Sequence, residues 1–90
     1  MIPEEVATEV DRAVRRWQQL PLDRAVGALP GLLGVLGDLA GQPLPDLGPE
    51  VAMDQLKVIV HDACADGSVR PEDLRDRLAT LRLGWSAAPA

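Results

Sequence analysis

The chain has 90 residues, net charge −5 and a single cysteine, Cys64, enough for one small domain and too few thiols for an intrachain disulfide. The acidic balance argues against a nucleic-acid ligand, which needs a positive field. No apolar run approaches the roughly 18 residues of a membrane span, and the opening Met1-Ile2-Pro3-Glu4-Glu5 lacks the basic-then-apolar order of a signal peptide, so a cytoplasmic location is expected.

Arginine replaces lysine almost throughout, Asn, Phe and Tyr are absent, and Ala, Leu, Val, Gly, Pro and Asp dominate. That bias matches GC-rich bacterial coding and weakens any functional reading of the arginines. They fall in two groups, Arg12, Arg15, Arg16 and Arg24, then Arg70, Arg75, Arg77 and Arg82, each interleaved with acids such as Glu9, Asp11, Glu72, Asp73 and Asp76. This mixture reads as a solvated, ion-paired helix surface.

The first helix is expected from Pro3, which suits a first turn, to about Gln19, where Pro21 stops it. Glu4 and Glu5 complement its positive end. Val6, Val10, Ala13, Val14, Trp17 and Leu20 recur at three- and four-residue spacing and form the buried stripe. Thr8, Asp11, Arg12, Arg15 and Gln19 take the opposite face.

From Leu22 to Ala40, a stripe of Leu22, Val26, Leu29, Leu33, Leu36 and Ala40 is helical in spacing, but Pro30 interrupts it. The expectation is a short helix capped by Asp23, a kink or break, and a second piece from Pro30 to about Leu39. A Pro-rich connector, Gly41 to Gly48, should lie extended with Leu44 and Leu47 pinned inside.

The next helix is expected from Pro49-Glu50 to about Ala65, burying Ala52, Leu56, Ile59, Val60 and Ala63, with Met53 and Cys64 on its flank and Gly67 as a left-handed stop. The last should run from Pro71 to about Leu83 on a stripe of Leu74, Leu78 and Leu81, which Trp85 could extend, with Gly84 ending it. Trp85, near a frayed end, should be more exposed than Trp17. The fold class is therefore all-α: a small four- to five-helix bundle with a Pro-kinked or broken second helix, a single domain over residues 1–85 and a flexible tail over 86–90.

The feature that points outward is a run of glycines. Gly27, Gly31, Gly34 and Gly37 fall three or four residues apart, on one face opposite the leucine stripe. Interior helical glycines cost about 1 kcal/mol each relative to alanine. A close-packed helix would compensate, either another helix of this chain or one from a second copy. On that reading Gly34→Ala should destabilise the fold or the dimer.

Other candidate sites are weaker. Asp62 to Asp73 resembles a degenerate EF-hand loop in placing Asp62, Asp66, Gly67 and Val69 at the expected spacing, but Cys64, Arg70 and Asp73 stand where such a loop wants a hard ligand, a neutral group and Glu. His61 and Cys64 lie three apart with no other Cys or His to complete a zinc site. No orienting group accompanies them for nucleophilic catalysis, and no phosphate loop exists. The Asp-Ser-Leu motif of acyl carrier proteins is missing; the serines are Ser68 and Ser86. The expected function is a non-catalytic helical protein-interaction module or small accessory subunit. No catalytic, cofactor-binding or metal residues are assigned. The partner is a protein, with a homodimer as one form; the alternative is a regulatory ion-binding domain using Asp62–Asp73.

Overall fold

The computed structural model describes residues 2–86, and within them the chain forms four helices and no strand. They are α1 (Glu4–Gln19), α2 (Leu22–Ala40), α3 (Pro49–Asp66) and α4 (Pro71–Ser86). The part of the expected tail beyond Ser86 lies outside the described residues. Proline opens two helices directly, α3 and α4, while Pro3 and Pro21 precede α1 and α2. Each supplies a fixed φ where the missing N–H has no intrahelical partner to lose. Glycine closes two, with Gly41 (φ 74°) and Gly67 (φ 68°) in the left-handed region.

Pairing is not simply sequential. α1 packs most extensively on α4, α2 on α3, and α1 also meets α3. The core joins Val6, Val10, Ala13 and Trp17 to Leu29, Leu32 and Leu36, to Ala52, Met53, Leu56 and Val60, and to Leu74, Leu78 and Trp85. Trp17 is the point where three helices meet. Its ring lies 4.9 Å from that of Trp85 at an interplanar angle of 64°, an edge-on contact. Its Nε1 donates to the Pro49 carbonyl at the start of α3, at 2.9 Å.

The expected face of α1 is the observed one, but Glu9 joins it. Glu9 is 7% exposed, and its carboxylate accepts from Arg12 Nη1 at 2.8 Å and faces Arg82 Nε of α4 at 3.5 Å. The ion pair makes burial of the charge tolerable.

α2 departs further. It runs through Pro30 as one helix, so the break is not observed. Pro30 and Val26 are both exposed, which lets water reach the carbonyl that loses its donor. Asp23 lies in the first turn rather than capping it, the cap position being Pro21. The buried stripe is Ala25, Leu29, Leu32 and Leu36, whereas Leu22 and Val26 are 71% and 52% exposed. The residues of α2 are apolar on nearly all sides, so two stripes satisfy the same spacing, and contact with α3 selects between them.

Two end regions also differ from expectation. Leu44 packs on the core, but Leu47 is exposed. α4 continues through Gly84 to Ser86, and Trp85 is 7% exposed against 5% for Trp17. The Trp85 carbonyl accepts from Arg16 Nη2 of α1 at 3.4 Å and from Arg24 Nη2 of α2 at 3.3 Å. Cations at a helix C-terminus satisfy its last carbonyls and oppose the negative end of the dipole. That is the physical reason Gly84 does not end the helix.

Candidate functional site: the groove between α2 and α4

α2 and α4 each pack mainly on a different partner, and an open groove of 620 Å³ remains between them. Gly27, Ala28, Gly31, Leu32, Val35 and Asp38 line it from α2. Asp76, Arg77, Thr80, Leu81, Gly84 and Trp85 line it from α4. Leu32 and Trp85 are buried core residues, so the groove opens directly over the core. Three of its lining positions are glycine, and a Cβ built at Gly27, Gly31 or Gly84 meets nothing within 4 Å. The space where side chains would stand is empty. Charge is confined to Asp38, Asp76 and Arg77.

The four glycines singled out by spacing thus divide. Gly27 and Gly31 border the groove, whereas Gly34 and Gly37 border a second hollow with Leu33, Gly41, Gln42, Pro43 and Leu44. Among the described residues nothing lies within 4 Å of a Cβ built at Gly27, Gly31 or Gly34. Gly37 alone has a close neighbour. An added Cβ would lie 3.2 Å from the Gln42 carbonyl oxygen, because the chain folds back there and Gln42 N donates to the Gly37 carbonyl at 3.1 Å. Gly37 therefore serves the turn out of α2.

For Gly34 the expected sign reverses. It is exposed, with nothing near an added methyl group. Gly34→Ala should stabilise the chain by up to about 1 kcal/mol, through helix propensity and a less flexible unfolded state. Chemical denaturation of the variant checks this; a lower midpoint at unchanged slope would mean that the Gly34 face is covered.

The chemistry-bearing residues of α3 lie elsewhere. None of Asp62, His61 or Cys64 lines the groove. His61 is exposed, its Nδ1 3.9 Å from Asp62 Oδ1. Cys64 is half-buried, and burial pushes its thiol above its ordinary value, leaving little nucleophilic thiolate at neutral pH. Positions 62, 64 and 66, the first ligand positions of an EF-hand-like loop, all belong to α3 itself. Asp66 instead accepts from the Ser68 amide at 2.9 Å, and hydrogen bonds from Ser68 hold its carboxyl below the usual range. The local structure is a helix stop with an Asx turn. Among the described residues no three His, Cys, Asp or Glu side chains gather as a metal site requires.

No protein-family model, curated protein or solved structure matches this chain. The groove and its residues therefore carry the functional reading. No helix among the described residues is long and apolar enough to cross a membrane.

The signal for one wall of the groove was present in the glycine spacing of α2. The second wall, with Thr80, Gly84 and Trp85, had no such signal. It depends on α4 running past Gly84, which the arginines of two other helices secure.

Proposed function

We propose that this protein is a non-catalytic helical interaction module or small accessory subunit, and that it binds a partner helix in the groove between α2 and α4. The observation that carries this reading is the groove itself: an open apolar trough over Leu32 and Trp85, with glycine where side chains would otherwise fill it. A helix presenting a leucine or valine ridge gains apolar burial there at about 25 cal/mol per Å². The missing Cβ atoms let the two backbones approach.

The partner we assign is a second copy of the chain. The two helices that wall the groove also carry large exposed apolar side chains, Leu22 and Val26 on α2 and Leu83 on α4. One chain thus offers both a recess and ridges, and a two-fold arrangement uses both at once. A domain of this size, with modest surface burial of its own, gains stability from the added contact.

Mixed samples of isotope-labelled and unlabelled protein test the mode directly. Intermolecular NOEs should connect the Trp85 indole and Leu32 methyl groups of one copy to Leu or Val methyl groups of the other. A dimer whose intermolecular contacts all lie on α1 and α3 would contradict the assignment of the groove.

A further inference from the structure

A second feature shares no residue with the groove. Arg12, Arg15 and Arg16 of α1 and Arg82 of α4 line, together with Gln19, a pocket of 320 Å³. In sequence these arginines alternate with acids and read as a neutralised surface. In the structure the acids do not follow them: Asp11 is not among the lining residues, and among the described residues Arg15 takes part in no ion pair. Glu9 sits behind the group, buried, bonded to Arg12 at 2.8 Å and facing Arg82 at 3.5 Å. Four arginines thus line one pocket, two of them paired with the buried Glu9 carboxylate, in a chain of net charge −5.

Three of these donors are held in place. Glu9 fixes Arg12 and Arg82 from below, and the Trp85 carbonyl holds Arg16 through Nη2 at 3.4 Å. The Nε of Arg16 is buried and has no hydrogen-bond partner among the described residues. A cluster of like charges with an unsatisfied buried donor is destabilising until an acceptor arrives. Planar guanidinium forks match a tetrahedral oxyanion, which can accept two N–H bonds from each.

We propose that this pocket binds a small multiply charged oxyanion, a free phosphate or the phosphate group of a small monoester. Arg15 and Arg12 bind it at the mouth, Arg16 binds it from within, and Glu9 acts as the positioning residue. The acidic remainder of the chain repels an extended polyanion such as nucleic acid, so the ligand is small.

The test is a ¹⁵N–¹H NMR titration of the full chain with inorganic phosphate and, separately, with phenyl phosphate. Sodium chloride at matched ionic strength is the control. Saturable shifts centred on residues 12–19 and 82 are expected. Saturation by both anions identifies phosphate itself as sufficient, and saturation by phenyl phosphate alone identifies a monoester; each supports the proposal. Arg15→Gln should weaken binding by about tenfold or more while leaving the rest of the spectrum in place, because Arg15 is exposed and carries no ion pair of the fold. Arg15→Lys, which keeps the charge and loses the fork, should fall between. Arg75→Gln, on the far part of α4, should bind as wild type. Shifts that never saturate and match those of chloride, or saturable binding unchanged in Arg15→Gln, would overturn the proposal.

Discussion

Trp17→Ala should lower the stability of the protein by about 3–5 kcal/mol, the range for removing a large buried aromatic side chain. The loss has three parts. The indole is 5% exposed and its removal leaves a cavity at the junction of α1, α3 and α4. The edge-on contact with Trp85 at 4.9 Å disappears. The Pro49 carbonyl loses its donor. Trp17→Phe separates these parts: it keeps most of the volume and ring contact and should forfeit about 1 kcal/mol for the hydrogen bond plus a smaller cavity term. Urea denaturation followed by far-ultraviolet circular dichroism measures both. A Trp17→Ala protein with the wild-type midpoint would mean that Trp17 is not a core residue.

Glu9→Ala should cost about 2–3 kcal/mol, far more than a carboxylate on a helix surface would. The side chain is buried and charged, and its loss removes the carboxylate that pairs with Arg12 at 2.8 Å and faces Arg82 at 3.5 Å. Glu9→Gln distinguishes charge from volume. It fills the same space and offers one acceptor, so it should recover part of the loss but not all of it. Equal stability of wild type and Glu9→Ala in the same denaturation experiment would show that the ion pair with Arg12 and Arg82 contributes nothing.

These two residues mark the limits of what the sequence discloses. Trp17 was legible because α1 has one polar face and one apolar face, so only one stripe fits the helical period. Glu9 was not, since an acid in an amphipathic helix is assigned to water by default, and its burial depends on Arg12 together with Arg82, which arrives from α4. α2 shows the complementary failure. Its composition of Leu, Val, Ala and Gly leaves the period intact but the phase ambiguous, so Leu22 and Val26 read as core and stand in solvent. At the end of α4, Gly84 has the local signature of a stop, and distant cations on the Trp85 carbonyl override it. The candidate site inherits both problems. Gly27 and Gly31 were visible as a notch, but Gly34 and Gly37, equally spaced, belong to a different surface. Spacing defines a face of a helix; which part of it meets a neighbour is set by tertiary packing.

On the proposed reading, a partner seated in the groove would account for the glycines of α2. Each weakens α2 by about 1 kcal/mol relative to alanine, and at Gly27 and Gly31 a Cβ would meet nothing within 4 Å among the described residues. Contact with a partner would supply the offset, and it couples folding to association: the apparent stability should rise with protein concentration.

Sedimentation equilibrium of the wild-type protein beside Gly31→Leu tests that claim most directly. A Cβ at position 31 meets nothing within 4 Å among the described residues, so Gly31→Leu should keep its helical spectrum while its side chain projects into the groove. The wild type should sediment as a dimer at about 100 µM, a concentration at which even weak self-association is populated, and Gly31→Leu as a monomer. A wild type that is monomeric at that concentration, or a Gly31→Leu protein that dimerises as tightly as wild type, would contradict the account.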